Sequence, residues 1–247
     1  MLDASAIQRA ADALLEVRRG APPISELPPG CEPGSFAEAY AIQDAVTNAL
    51  SPAAGWKLGK LPDGGLLCAP LLRETIEQRP TLSAAALNAP VVEAELAFRM
   101  TRDIARGTTA EALRGAMVFV PLFEILGSRF ASMFDMALLP NLADNFGSAA
   151  IAIGDEVPDW ASARRDAMSV RIEGDGEVLY ILDYAAKLDA AVALVAAFAE
   201  RFEDRFDVMP AGTLVTTGSM TVPFAPKHRI TADYGPFGVN RLIFSDI

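Results

Sequence analysis

Residues 91–98 read Val-Val-Glu-Ala-Glu-Leu-Ala-Phe, a stretch in which acidic and apolar residues alternate. The alternation predicts a β-strand, because successive side chains of a strand point to opposite faces of a sheet. Glu93 and Glu95 then lie side by side on one face. Neighbouring carboxylates repel each other unless a cation holds them, and hard oxygen ligands suit Mg²⁺ or Mn²⁺. The alternative is a solvated strand face, since charged residues are mostly exposed.

A third carboxylate interrupts a second apolar stretch. Residues 117–126 read Met-Val-Phe-Val-Pro-Leu-Phe-Glu-Ile-Leu, and Glu124 is the charged residue among them. An ionised carboxylate in such a strand is costly to bury unless it is paired or coordinated, and otherwise its pKa rises and it becomes neutral. Glu93, Glu95 and Glu124 are therefore a candidate metal site. For Glu124, the alternatives are a strand end that reaches water and an ion pair with Arg129.

Composition excludes several classes of protein. The chain has 247 residues and a formal net charge of −11, with two cysteines and one histidine. An acidic chain without a basic run is a poor candidate for binding nucleic acid or an anionic membrane. So few cysteines and histidines exclude a disulfide scaffold and a Cys/His zinc cluster, and leave His228 as the base that a serine or cysteine triad would need. Neither a signal peptide nor a membrane span is predicted, which indicates a soluble, cytoplasmic protein.

The order of the predicted elements indicates an α+β fold. Apolar periodicity and capping residues predict helices over residues 3–19 and 36–50. A strand-rich body follows, in which residues 168–182 form a hairpin around Asp-Gly and two strands close the chain over 229–244. We also expect an irregular segment over 61–90. Two further helices are predicted, one over 130–138 and a long one over 185–206.

Six short motifs follow one another along most of the chain. They are Ala-Tyr-Ala-Ile-Gln (39–43), Gly-x-Lys-x-Gly (55–59), Val-Glu-Ala-Glu-Leu-Ala-Phe (92–98), Phe-Glu-Ile-Leu-Gly-Ser-Arg (123–129), Asp-Asn-x-x-Ser (144–148) and Leu-Val-x-Thr-Gly (214–218). In this order they resemble the family of 2-keto-4-pentenoate hydratases and 2-oxo-acid decarboxylases, within the fumarylacetoacetate hydrolase superfamily.

The resemblance implies a fold and an assembly. It implies an N-terminal helical region over residues 1–60 and a mixed β-roll catalytic domain over 61–247, together forming one compact unit. It also implies a homo-oligomer whose partner is a small 2-oxo acid, not nucleic acid or a membrane.

The resemblance also implies a site and an activity. Glu93, Glu95 and Glu124 would hold Mg²⁺ or Mn²⁺, which chelates the substrate. Lys57, which the sequence alone would leave as a surface lysine, would be catalytic, with a pKa lowered by burial beside the metal. Substrate-binding positions would be Asp144, Asn145, Ser148, Thr217 and Gly218. The implied activity is that of a metal-dependent lyase, a hydratase or decarboxylase of aromatic-compound catabolism.

Departures from the family pattern leave alternatives open. Family hydratases carry Gly-x-Leu-x-x-Asp after the lysine, with the aspartate as a proton-transfer group, and here the corresponding residue is Pro70. We therefore expect weak or no hydration of 2-hydroxypenta-2,4-dienoate. The alternatives are a C–C bond hydrolase, an oxaloacetate-type decarboxylase, and a ligand-binding member without turnover. The hydrolase branch uses a His–Glu pair early in the chain, and His228 comes too late to match it.

Overall fold

The computed structural model describes residues 1–164, 168–201 and 208–247. Within these ranges the α-helices are α1 (Ala4–Arg18), α2 (Phe36–Ala49), α3 (Ala110–Arg114), α4 (Leu138–Ala143) and α5 (Ala185–Arg201). The strands are β1 (Ala53–Lys60), β2 (Leu66–Leu72), β3 (Ile76–Gln78), β4 (Thr81–Leu82), β5 (Val91–Met100), β6 (Ile104–Ala105), β7 (Met117–Leu126), β8 (Ser148–Ile153), β9 (Ser169–Gly174), β10 (Glu177–Asp183), β11 (Val208–Met209), β12 (Leu214–Ser219), β13 (Arg229–Asp233) and β14 (Val239–Phe244).

A curled seven-stranded sheet is the centre of the fold. Its strands run in the order β2-β1-β12-β5-β7-β8-β3. The two edge strands, β2 and β3, are separated in sequence by the short 3₁₀ helix Arg73–Thr75 alone. So short a connection brings the two edges close together, and the sheet must therefore curl. A second sheet, in the order β10-β9-β13-β14-β4, adds five strands.

The two faces of β5 meet different surroundings. Val92, Leu96 and Phe98 belong to the main hydrophobic core, which also contains Phe119 and Phe123 of β7. The opposite face carries Glu93 and Glu95, as the alternation predicted. Farther along the curled sheet this face forms a smaller buried apolar cluster, made of Leu71, Ala97, Val118, Val120, Leu122, Ile151 and Leu214. The glutamates therefore lie next to a buried apolar surface on their own face of the sheet.

Local signals decide the ends of several elements. The side chains of Asp3 and Ser35 accept hydrogen bonds from the first turns of α1 and α2, so both N-terminal helices begin at a capping residue. In the turn between β9 and β10, Asp175 and Gly176 have φ of 52° and 86°. Positive φ at both positions is the requirement of the hairpin turn that Asp-Gly predicted.

The structure corrects two predicted elements and limits a third. Residues 61–90 are not irregular, because they contain β2, β3 and β4. The helix predicted over 130–138 is absent; a 3₁₀ turn occupies Met133–Asp135 and α4 begins at Leu138. The predicted helix over 185–206 is α5 as far as Arg201, and residues 202–206 lie outside the described ranges.

The proposed division at residue 60 stays a prediction. Strand β1 lies on its N-terminal side, yet it pairs with β12 and β2 in the main sheet. Among the described helices, none is both long and apolar enough to cross a membrane.

Candidate metal centre

Three glutamates converge where β5 and β7 pair. In this antiparallel register Glu93 lies directly opposite Glu124, and Glu95 is two residues farther along the same face. One carboxylate oxygen from each residue lies within 4.8 Å of the others. Glu95 and Glu124 are fully buried, whereas Glu93 is partly exposed. Glu124 therefore does not reach water.

Lys57 joins this cluster from a more distant strand. Its Nζ lies 2.8 Å from Oε2 of Glu124. Lys57 is on β1, which is separated from β5 by β12, and the curl of the sheet brings the ammonium group to the carboxylates. The ion pair between Glu124 and Arg129, considered as an alternative to metal binding, is not formed, because Arg129 pairs with Asp144 instead.

Burial and mutual repulsion set the protonation of the carboxylates. Burial, followed by the charge of Glu124, raises the pKa of Glu95 well above its usual value. Burial also raises the pKa of Glu93. Both shifts mean that the metal-free site disfavours three negative charges in one place.

The pKa of Lys57 in the metal-free site is raised and not lowered. Burial alone would lower the pKa of Lys57, but the charges of Glu124, Glu95 and Glu93 outweigh it, and the pKa is raised. The sequence analysis expected a pKa lowered by burial beside a bound metal, and that expectation stays a prediction, because the raised pKa belongs to the metal-free site, where the three carboxylates are uncompensated. Lys57 is therefore a cation at neutral pH.

The site has the properties that a divalent cation requires. Neither oxygen of Glu95 accepts a hydrogen bond from a described residue, and Oε1 of Glu124 is also without one. Buried carboxylate oxygens without donors carry an uncompensated desolvation cost. Three carboxylates against one ammonium leave an excess of negative charge, and oxygen is the ligand that Mg²⁺ and Mn²⁺ prefer. The residues fit such a metal.

A cavity of about 480 Å³ opens onto the cluster. Lys57, Glu93 and Glu95 lie in its wall, together with Gly218 and Ser219 of β12. The rest of the wall is largely apolar and includes Leu61, Leu67, Leu126, Met133, Phe134, Leu138 and Phe146. A polar end and an apolar wall suit a small molecule with a charged head and an unsaturated or aliphatic tail.

Two of the predicted substrate-binding residues lie instead in a buried ion-pair network. The Asp144 carboxylate accepts hydrogen bonds from the Ser128 hydroxyl at 2.8 Å and from the Arg129 backbone N–H at 3.0 Å, and it pairs with the Arg129 guanidinium. The Ser148 backbone oxygen accepts from Nη1 of Arg129 at 3.2 Å. Neither Asp144 nor Ser148 lines the glutamate cavity. Their substrate-binding role stays a prediction without a contact in its favour.

The other three predicted substrate-binding residues, Asn145, Thr217 and Gly218, do not lie together. Gly218 lines the glutamate cavity, with φ of 95° at an irregularity in the β12–β5 pairing. The Thr217 hydroxyl donates to the Leu96 carbonyl at 3.0 Å, and this residue lines an adjacent cavity beneath α5. Asn145 is buried, with an Oδ1 atom that has no partner among the described residues.

Thr216 is a candidate site residue that the sequence analysis missed. It is paired with Lys57 across β1 and β12 and with Ala97 across β12 and β5, so its side chain lies on the glutamate face. It is fully buried, and its hydroxyl has no hydrogen-bond partner among the described residues. The sequence could have indicated this residue, because alternation along β12 places Thr216 and Thr217 on opposite faces of the sheet.

The position of Pro70 corrects a further expectation. Pro70 pairs with Trp56, whereas Lys57 pairs with Ala69. The Trp56 ring contacts Phe198 of α5, with centroids 6.1 Å apart, so the Trp56 face is directed toward the main core. A side chain at position 70 therefore points away from Lys57. An acid placed there would not reach the candidate site.

Comparison with known proteins agrees with the motifs. No protein-family model matches the chain. A 4-oxalocrotonate decarboxylase of Pseudomonas sp. strain CF600 is 30% identical over 150 residues, a match that covers 59% of this chain and 56% of that protein. A 2-keto-4-pentenoate hydratase of Burkholderia vietnamiensis is 29% identical over 246 residues, covering 92% of each. The chain is therefore similar to a 4-oxalocrotonate decarboxylase over about half of that protein's length and to a 2-keto-4-pentenoate hydratase over most of its length.

Solved structures confirm the predicted fold. The structure of a 4-oxalocrotonate decarboxylase from Pseudomonas putida G7, complexed with magnesium and adipate, aligns with a TM-score of 0.83 at 20% identity, covering 99% of both chains. A fumarylpyruvate hydrolase from Pseudomonas aeruginosa, in complex with Mn²⁺ and pyruvate, aligns with a TM-score of 0.55 at 16% identity, covering 74% of this chain. The predicted α+β class, with N-terminal helices followed by a mixed β-roll, is confirmed.

Proposed function

We propose that this protein is a lyase that depends on Mg²⁺ or Mn²⁺ and acts on a small 2-oxo acid, in the manner of the hydratases and decarboxylases of aromatic-compound catabolism. Glu93, Glu95 and Glu124 are the metal ligands in this proposal. The observation that carries it is the set of buried carboxylate oxygens that no described donor satisfies, at the end of a largely apolar cavity.

A divalent cation bound by these carboxylates supplies Lewis acidity, which polarises a carbonyl oxygen and stabilises the negative charge that develops on it. Lys57 contributes a positive charge next to the proposed metal ligands. In the metal-free site its raised pKa keeps it protonated at neutral pH. In this proposal its ammonium group binds a substrate carboxylate or donates a proton.

The cavity wall determines which substrates fit. Leu61, Phe134 and Phe146 present apolar surface beside the carboxylates and lysine. An apolar wall lowers the local dielectric constant, which strengthens the electrostatic interactions of Lys57. We therefore expect 2-oxo acids with a short, conjugated carbon chain to bind better than hydroxylated ones of equal length.

Decarboxylation is favoured over hydration by the residues on β2. Hydration of a double bond requires a group that positions water and moves its proton. On the face shared with Lys57, β2 offers Leu67 and Ala69, neither of which can accept or donate a proton. Decarboxylation leaves the bonding electrons of the departing CO₂ in the conjugated 2-oxo system and requires one proton afterwards, which Lys57 can donate.

The hydrolase alternative has no support in the described site. His228 Nδ1 lies 2.9 Å from the Phe244 carbonyl, and the residue does not line the glutamate cavity. A His–Glu pair at the site is therefore absent from the described residues.

Turnover on a panel of 2-oxo acids tests the proposal. The panel contains 4-oxalocrotonate, oxaloacetate, fumarylpyruvate and 2-hydroxypenta-2,4-dienoate, each assayed with Mg²⁺, with Mn²⁺ and with EDTA. We expect metal-dependent CO₂ release from an unsaturated 2-oxo acid and little hydration. Absence of turnover on every member, despite metal binding, would favour a ligand-binding protein. The homo-oligomer stays a prediction that light scattering can test.

A further inference from the structure

The last turn of α1 contributes an arginine to the wall of a second cavity. This cavity of about 560 Å³ is bounded by the end of α1, by residues 20–23, by residues 85–88 and by residues 127–129. Arg18 lies in its wall, whereas Lys57 and the three glutamates do not. The cavity is therefore separate from the candidate metal centre.

Two guanidinium nitrogens of the partly exposed residue Arg18 are buried without a partner. Its Nε and Nη2 atoms are inaccessible to solvent and form no hydrogen bond with a described residue. Burial, followed by the nearby charge of Arg129, lowers the pKa of Arg18 to about 10. The group still carries its charge at neutral pH. A buried, charged donor without an acceptor is costly, and native structures rarely leave one so.

The neighbouring acidic groups do not satisfy this charge. The Asp144 carboxylate already accepts from Arg129 and from the Ser128 hydroxyl. Glu74 lies in the cavity wall but is exposed, and its charge influences Arg18 less than burial, Arg129 and Asp144 do. Among the described residues, no carboxylate forms an ion pair with Arg18.

We propose that this cavity binds a small free oxyanion, a carboxylate or a phosphate, through Nε and Nη2 of Arg18. These two nitrogens direct their N–H groups in parallel from one edge of the guanidinium. That fork matches two oxygens of a carboxylate or phosphate. An oxyanion seated there supplies the negative charge and the acceptors that the surrounding chain lacks.

The two cavities meet at adjacent residues. Leu126 lies in the wall of the glutamate cavity, and Gly127 lies in the wall of the Arg18 cavity. Both belong to the segment that leads from Glu124 to Arg129. The site is nevertheless defined without any metal or substrate, so it can be tested in metal-free protein.

The test is a titration of inorganic phosphate, repeated with malonate, into protein kept in EDTA. EDTA prevents phosphate from binding through a metal at the glutamates. Calorimetry and thermal unfolding compare the native chain with Arg18→Met and with the matched control Arg19→Met, which removes the same charge from an exposed neighbour. We expect phosphate to raise the Tm of the native chain and of Arg19→Met. Arg18→Met should bind about tenfold more weakly or not at all.

Further readouts separate this site from a structural role. Without oxyanion, Arg18→Met should unfold at the same temperature as the native chain or higher, because it removes an unpaired buried charge. If Arg18→Met does not fold, Arg18→Lys keeps the charge, loses the fork, and should still bind phosphate more weakly. An equal rise in Tm for the native chain and the Arg18 variants would overturn the proposal, as would no rise at all.

Light scattering distinguishes the source of the anion. A native oligomer that dissociates in Arg18→Met, with no response to phosphate or malonate, would assign Arg18 to a carboxylate of a second copy and would overturn the proposal. Because neither metal nor 2-oxo acid is present in these experiments, their failure would leave the proposed lyase function unaffected.

Discussion

Lys57 Nζ lies 2.8 Å from Oε2 of Glu124, although the two residues are 67 positions apart in sequence. In the main sheet, two strands, β12 and β5, lie between β1, which carries Lys57, and β7, which carries Glu124. The pair places a lysine ammonium group against a fully buried carboxylate. It thereby makes Lys57 a counter-charge in the metal-free protein, and the proposed function adds the role of proton donor to a bound substrate.

Replacing this lysine should separate metal binding from turnover. In Lys57→Met we expect kcat to fall by about 10²- to 10⁴-fold, the usual value of general acid–base help. Metal affinity should be retained or increased, because a positive charge next to the ligands is removed. The matched control is Lys227→Met, because Lys227 lines neither the glutamate cavity nor the cavity beneath α5. Unchanged kcat in Lys57→Met would remove the lysine from the mechanism.

The raised pKa of Glu95 predicts how metal-free stability changes with pH. A carboxyl whose pKa is higher in the folded than in the unfolded state binds protons more tightly when folded. Its contribution to stability is present below the unfolded value, near 4.5, and is lost as pH rises toward the folded value.

In EDTA, the Tm of the native chain should therefore fall between pH 5.5 and pH 7 by more than the Tm of Glu95→Gln does. Added Mg²⁺ should raise the Tm of the native chain more at pH 7 than at pH 5.5, because protons compete with the metal. A pH dependence identical in Glu95→Gln and the native chain would show that this carboxyl does not cause it.

The buried pair of Arg129 and Asp144 predicts a structural effect. Asp144→Asn leaves the Arg129 guanidinium without its counter-charge, so we expect the free energy of unfolding to fall by about 3–5 kcal/mol. The control is Asp155→Asn, which breaks an exposed pair with Arg79 and should cost about 0–1 kcal/mol. Denaturant unfolding measures both. A stable Asp144→Asn variant with a raised KM alone would instead support substrate binding by Asp144.

The register of β1 and β2 predicts that an acid at position 70 does not restore hydration. Pro70→Asp directs a carboxyl toward Trp56 and the main core. We expect lower stability and no gain in the rate of hydration of 2-hydroxypenta-2,4-dienoate. A clear rise in that rate would mean that the strand face has been assigned wrongly.

The sequence predicted those features that depend on local patterns. Alternation over 91–98 placed Glu93 and Glu95 on one face of β5, and the capping residues located α1 and α2. Strand β2 was missed because its residues are buried on both faces, so its sequence does not alternate, and Pro70 favoured a loop.

Features that depend on distant contacts could not be predicted in this way. The side on which position 70 lies follows from strand pairing that includes a register shift between Ala53 and Gly55. The pairing of Asp144 with Arg129, like the unsatisfied guanidinium of Arg18, is a property of how separate segments pack. The raised pKa of Lys57 likewise required three carboxylates from two other strands.

Calorimetric titration of Mg²⁺ and Mn²⁺ tests the central claim most directly. The native chain is compared with Glu93→Gln, Glu95→Gln and Glu124→Gln, and with Glu77→Gln as a control at an exposed glutamate of β3. We predict that each of the three site variants remains folded and binds metal at least about tenfold more weakly, while Glu77→Gln binds as the native chain does. Unchanged metal affinity in all three site variants would contradict the account.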